Sequence, residues 1–172
     1  NTAPVMRAYL ENGLHRGGAT SRIFYAGPMF RYDRPQAGRY RQFHQIGAEA
    51  LGSPGPAIDA EIIDVALGLY RILGFPPLEV KLNSVGCPAC RPAFKAVLTE
   101  ALAGLSGDLC ESCVAKTPRN PLRIFDCKEC GAVKEKLPVI TGYLCDGCRR
   151  HLDGLRELLG VMGIPYALDP LL

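Results

Sequence analysis

Residues 27–49 read GPMFRYDRPQAGRYRQFHQIGAE and set four arginines, Arg31, Arg34, Arg39 and Arg41, against two acids, Asp33 and Glu49. Guanidinium groups recognise phosphate through planar, paired hydrogen bonds, so Arg31 and the loop arginines suit a polyphosphate. Phe43 offers a ring on which a base can stack, and Gln45, Gly47 and Glu49 follow it at two-residue intervals. A second set of reactive groups lies further on. All eight cysteines occur as four Cys-x-x-Cys pairs, Cys87/Cys90, Cys110/Cys113, Cys127/Cys130 and Cys145/Cys148, separated by 19, 13 and 14 residues. A two-residue spacer presents both thiolates to one tetrahedral ion, and two such pairs close a four-sulfur structural site.

The first set needs a strand hairpin to position it. Pro35 has no N–H to give and Gly38 breaks side-chain regularity, so 35–38 cannot continue a strand and a long basic loop must join two strands. Alternation then places Met29, Arg31 and Asp33 on one face of the first strand. It places Phe43, Gln45, Gly47 and Glu49 on one face of the second, with Ile46, Ala48 and Ala50 on the other, as a plausible apolar core. The bland alternative is a solvated, arginine-rich hairpin; a solvated face has no need of Phe43 or of the two polar recognisers beside it. Around the hairpin, periodicity predicts a helix over 4–13 with Thr2 as a candidate cap, a short strand over 22–26 and an amphipathic helix over 57–73. A strand over 78–85 follows.

The cysteines mark a different kind of segment. Disulfides would need an oxidising compartment. A redox Cys-x-x-Cys is normally single and opens a helix in a thioredoxin-like pattern, which is not present. Unligated thiols are the third alternative. Metal binding accounts best for four evenly paired motifs, and zinc is favoured over an iron–sulfur cluster because the sites look closed. Eight thiolates suggest two ions. The spacing favours local grouping, first pair with second and third with fourth, with a short helix over 92–105 returning the chain. Interleaved grouping, first with third and second with fourth, stays open. A subdomain of about sixty residues buries little apolar surface and commonly needs a metal or disulfides. A final helix is expected over 149–160.

The hairpin tract closely resembles the second signature motif of class II aminoacyl-tRNA synthetases, in the form found in histidyl-tRNA synthetases. There GPMFR, RPQ-x-GRYRQFHQ and a following glutamate occur together. NTAPVMRAYL at the start, LNSVG at 82–86, NPLRIFDCK at 120–128 and GIPYALDPLL at 163–172 are also similar to that family. The resemblance implies an α+β fold: part of a class II antiparallel sheet with flanking helices, plus a small, zinc-stabilised, mainly helical insertion. It implies three segments, with 1–86 as partial catalytic core, 87–160 as the cysteine-rich insertion and 161–172 as a strand returning to the core. It also implies a piece of a longer enzyme, expected to be inactive alone.

The implied chemistry is attack of the histidine carboxylate on the α-phosphorus of ATP, with Mg2+, followed by transfer of the histidyl group to tRNA(His). By motif position, Arg31 is implied to hold the α-phosphate and stabilise charge during attack. Arg39 is implied to reach the outer phosphates, with Arg41 a weaker candidate, and Phe43 to stack under adenine. Asp33 stands where a glutamate usually approaches the adenine amino group. Gln45 and Thr2 are implied to bind the α-amino group of histidine, and Glu49 its imidazole. His44, on the opposite side from Phe43, reads as a packing residue, and His15 and His151 as incidental. The metal is implied to serve folding rather than catalysis. The insertion is implied to approach the acceptor arm of tRNA; Lys95, Lys116, Arg119, Arg149 and Arg150 there read individually as solvated charges.

Composition agrees with a globular protein: 48% hydrophobic and 22% charged residues, with a mild net charge of +3 that permits RNA contact without demanding it. No apolar run reaches the ~18 residues of a membrane span, and no leader pattern is evident. A cytoplasmic homodimer as parent enzyme is implied. Two other readings remain: a synthetase-like regulatory subunit of ATP phosphoribosyltransferase, and a free-standing zinc module for nucleic acid, which leaves 27–49 unexplained.

Overall fold

The computed structural model describes residues 2–32 and 34–171, in two compact units covering 1–74 and 75–172. Asp33 lies outside the described residues. The first unit is built on an antiparallel hairpin of β1 (Ser21–Phe30) and β2 (Gln42–Leu51). Its register pairs Ile23 with Glu49, Tyr25 with Gly47, Gly27 with Gln45 and Met29 with Phe43. The predicted short strand and the first arm of the hairpin are thus one continuous strand. At the loop tip, Arg39 N–H donates to Gln36 O at 2.8 Å, and Gly38 takes the left-handed φ of 73° that such a tight reversal requires.

Two helices flank the hairpin. α1 (Thr2–Glu11) ends at Gly13, whose φ of 64° stops it. Thr2 is the first helical residue, and its hydroxyl bonds to Glu49 rather than capping the helix. α2 (Pro56–Ile72) begins with proline in its first turn and is followed by Gly74 at φ 78°. Its Glu61 carboxylate takes a paired hydrogen bond from Arg22 on β1, with Nη2 to Oε2 at 2.7 Å. Only the far end of the expected apolar face is partly covered, at Ala50, where Ala48 and Ala50 line a cleft with Ile58 and Ile62. Phe24, Phe30 and Ile46 on that same face are exposed, at 81%, 71% and 65%. The alternation is as expected, but within this chain α2 reaches only one end of the face, which is therefore not a core here.

The second unit holds a parallel pair, β3 (Val80–Leu82) and β4 (Tyr166–Leu168). The strand expected over 78–85 is this short because Pro76 and Pro77 precede it and a side-chain-bonded turn follows. In that turn Ser84 N–H donates to Asn83 Oδ1 and Gly86 N–H to Ser84 Oγ. Parallel strands need a crossover. Here the crossover is the whole cysteine-rich region, with α3 (Arg91–Gly104), α4 (Glu111–Lys116), α5 (Gly131–Lys134) and α6 (Asp146–Val161). Phe94, Leu98 and Leu102 fall at four-residue spacing on α3 and pack with Ile124, Val133, Leu137, Ile140 and Leu144. Leu98 is fully buried, which by itself stabilises the fold by roughly 1.5–3 kcal/mol. Cys90, Cys113 and Cys130 belong to the same core.

Candidate functional site

The half-buried face of the hairpin carries a row of groups in register. β2 advances about 3.4 Å per residue, so Phe43 and Glu49 stand on the order of 20 Å apart along one face. At one end the Arg31 guanidinium lies over the Phe43 ring, 4.6 Å from its centroid, and Arg31 Nε donates to Tyr40 O at 2.9 Å. These contacts put a cation and a flat apolar surface side by side. In the middle, Gln45 Nε2 donates to the Tyr25 hydroxyl at 3.4 Å. At the other end the Thr2 hydroxyl donates to Glu49 Oε1 at 2.8 Å, bringing together residues 47 positions apart.

Arg31, Phe43, Gln45 and Glu49 therefore share one side of the strand pair, and α1 delivers Thr2 to it. Arg34 and Arg39 sit exposed on the connecting loop, and Arg41 lies over the Tyr32 ring, 5.6 Å from its centroid. His44 points to the exposed face, away from the row.

Sequence reasoning missed Tyr25. It faces Gly47 across the strands, and a Cβ at Gly47 would stand 2.2 Å from the tyrosine ring. Gly47 is thus the one residue type that fits there. The bare glycine was legible as a point of close approach; the group that approaches is the chain's own tyrosine.

The cysteines form two four-thiol clusters with nested membership. Cys87, Cys90, Cys145 and Cys148 make one, and Cys110, Cys113, Cys127 and Cys130 the other, with the sulfurs of each set within 4.8 Å of one another. This corrects the local grouping. α3 does form, but its 14 residues rise about 21 Å. The five residues from Leu105 to Leu109 reach at most ~17 Å even fully extended, and Ser106–Asp108 are coiled into a turn. The helix carries the chain away from Cys90 rather than back to it, and the β3–β4 crossover instead returns the start of α6 to Cys87.

The geometry fits one tetrahedral ion per cluster. Sulfur–sulfur separations are 3.6 Å for Cys87–Cys90, 3.8 Å for Cys87–Cys145 and Cys90–Cys148, and 3.7 Å for Cys110–Cys127. A tetrahedron with metal–sulfur bonds of about 2.3 Å has edges of about 3.8 Å, whereas a disulfide brings sulfurs to about 2.05 Å. All eight cysteines are free thiols. Backbone N–H groups also point at sulfur, Cys87 N–H to Cys90 Sγ at 3.1 Å and Cys110 N–H to Cys130 Sγ at 3.4 Å. Gly86, at φ 63°, leaves room for the first turn: a Cβ there would meet Cys90 Sγ at 2.9 Å.

The thiols respond unequally to this crowding. The backbone N–H of Cys90, helped by that of Ala89, draws the Cys87 thiol down to about 6, and the backbone N–H of Cys130 draws Cys127 down to about 7. Its hydrogen bond with Cys145, followed by desolvation, pushes Cys148 up to about 12, and burial pushes Cys113 up. Within each set the thiols are thus driven in opposite directions, Cys87, Cys90 and Cys127 toward the thiolate and Cys148 and Cys113 toward the protonated form. Four negative sulfurs this close require a cation.

Comparison with known proteins decides the family. The sequence profile of the family described as Histidyl-tRNA synthetase matches residues 2–99. The chain belongs to the histidyl-tRNA synthetase family. Among curated relatives of this synthetase chain, histidine–tRNA ligase of Moorella thermoacetica is 50% identical over 170 residues, covering 98% of this chain and 40% of the relative. That of Halothermothrix orenii is 48% identical over 173 residues, covering 99% and 41%. The crystal structure of apo Staphylococcus aureus histidyl-tRNA synthetase superposes with a TM-score of 0.72 at 31% identity, covering 98% of this chain and 39% of that one. The class II synthetase fold with mixed helix and antiparallel sheet is thereby established, and the chain spans about 40% of the length of the relatives it matches. Among the described residues, no helix is long and apolar enough to cross a membrane.

Proposed function

We propose that this chain is part of a histidine–tRNA ligase and carries the surface on which ATP and histidine meet. The observation that carries this reading is the single row formed by Arg31 over Phe43, Gln45 on Tyr25 and Glu49 on Thr2. Four curated relatives at 45–50% identity bear the name histidine–tRNA ligase, which favours the ligase over a regulatory subunit of ATP phosphoribosyltransferase.

In this proposal adenine stacks on Phe43. The Arg31 guanidinium leaves a cation–π contact worth about 0.5–1 kcal/mol at an exposed site for a stronger charge-assisted bond to the α-phosphate. It then stabilises the charge that builds as the histidine carboxylate attacks phosphorus and pyrophosphate departs. Arg39, exposed on the loop, serves the outer phosphates, and Asp33 keeps the role that its motif position implies, recognition of the adenine amino group. Glu49 accepts from the imidazole N–H, while Gln45 and Thr2 hold the α-ammonium. A site built to hydrogen-bond the ring rejects isosteres that leave its buried polar groups unpaired. Mg2+ arrives with ATP and offsets phosphate charge.

Each four-thiol cluster holds one structural Zn2+, favoured by an all-sulfur, closed tetrahedral donor set. Residues 1–86 and 161–172 serve the catalytic core and 87–160 an insertion. The whole enzyme works as a cytoplasmic homodimer on tRNA(His), and this 172-residue piece alone does not activate histidine. The test is charging by the full-length protein: histidine should be esterified to tRNA(His) in the presence of ATP and Mg2+. A protein that binds histidine yet charges no tRNA contradicts the proposal.

A further inference from the structure

We propose that Tyr25 is a positioning residue that decides which end of the Gln45 amide faces the amino acid. The inference rests on the reading of Gln45 as a ligand for the α-ammonium group. A glutamine amide has a donating NH2 end and an accepting carbonyl end of nearly equal size. An ammonium group only donates, so only the carbonyl end can receive it. If the amide turns over, NH2 meets NH3+ and the contact becomes repulsive.

The fold engages the donating end of that amide: a tyrosine hydroxyl can donate or accept, and here it accepts from the amide nitrogen. Tyr25 is held across the strands from Gly47, and its ring lies so close over that residue that a Cβ there would stand 2.2 Å from Cζ and 2.3 Å from the hydroxyl oxygen. The glycine leaves room for the far end of the ring, and the hydroxyl reaches Gln45. There it accepts from Nε2 at 3.4 Å. With the nitrogen end engaged, Oε1 is directed away from the tyrosine and is left to accept. Tyr25 itself touches no reacting atom; it acts through the amide. One neutral hydrogen bond of this kind is worth about 1 kcal/mol net, so its loss should weaken ammonium recognition about tenfold at most.

Two inhibitors of histidine-dependent ATP–pyrophosphate exchange, measured on the full-length ligase, separate this role from simple packing. Histidinol keeps the imidazole and the ammonium; 3-(imidazol-4-yl)propionate keeps the imidazole and lacks the ammonium. Tyr25→Phe should raise the inhibition constant of histidinol about five- to tenfold and leave that of the propionate within about twofold. In a Gln45→Glu background both side-chain oxygens accept and nothing needs orienting, so Tyr25→Phe should add no further loss. Equal weakening of both inhibitors by Tyr25→Phe would show a packing role and overturn the inference, as would no change in either. Gln45→Ala separates the two levels of the argument. If it weakens histidinol selectively while Tyr25→Phe does not, the ammonium reading of Gln45 stands and the positioning role falls. If Gln45→Ala moves neither inhibitor, the ammonium reading itself fails and takes this inference with it.

Discussion

Nested ligand sets make a prediction that local grouping reverses. Replacing Cys87 and Cys148 with serine removes two ligands from the same cluster, so one metal should be lost and one kept. Replacing Cys87 and Cys113 removes one ligand from each cluster, so both metals should be lost. Under local grouping of adjacent pairs, the first double variant would lose both metals and the second only one. The structure also sets the energetic scale. The outer cluster joins residues 58 apart and the inner one residues 17 apart. Chain-entropy arguments then give a closure contribution of about 4 kcal/mol for the outer link and about 3 kcal/mol for the inner. The outer figure approaches the 5–15 kcal/mol total stability of an ordinary domain. The Cys87→Ser/Cys148→Ser protein should therefore melt well below wild type while keeping the inner cluster, whose Cys113 and Cys130 are buried with Ile124 and Val133. Elemental analysis by inductively coupled plasma mass spectrometry, normalised to protein, reads the count directly. A metal-free Cys87→Ser/Cys148→Ser protein that is otherwise folded by circular dichroism would refute the nested assignment.

Two further variants probe the supports of each unit. Gly86→Ala forces an L side chain to φ 63° and sets its Cβ 2.9 Å from Cys90 Sγ; it should cost about 1–2 kcal/mol and release the outer metal at lower chelator concentration, and an unchanged release curve would contradict the close approach. The hydrogen bond from Arg22 holds the Glu61 carboxyl below the ordinary glutamate range. A depressed folded-state value stabilises the fold above the unfolded-state value and is lost as pH falls through the folded one. Melting curves of wild type and Glu61→Gln should thus differ at neutral pH and converge in strongly acidic buffer; a gap that widens on acidification would contradict this.

Period-two alternation made the polar row legible before any coordinates, because Phe43, Gln45, Gly47 and Glu49 need only a strand to share a face. The helix ends were readable from their punctuation: Gly74 after α2 and Gly13 after α1. Features that depend on cross-chain geometry were not readable. Tyr25 joins the row only because register sets it opposite Gly47, and register is a property of two strands. Cysteine spacing showed that clusters form but not which, because the 14-residue length of α3 decides where Cys110 can go. Ile46, Ala48 and Ala50 read as core by pattern, yet pattern does not say how much of a face α2 can cover, and Ile46 is exposed.

The central claim is that one cationic and aromatic face gathers a nucleotide and an imidazole. Histidine-dependent ATP–pyrophosphate exchange by the full-length protein tests it most directly, with Arg31→Ala and Glu49→Gln beside wild type. The account predicts exchange with histidine alone among the amino acids, a fall in kcat of about a hundredfold or more for Arg31→Ala, and for Glu49→Gln a raised KM for histidine with that for ATP unchanged. Exchange that ignores histidine, or that survives Arg31→Ala intact, would contradict it.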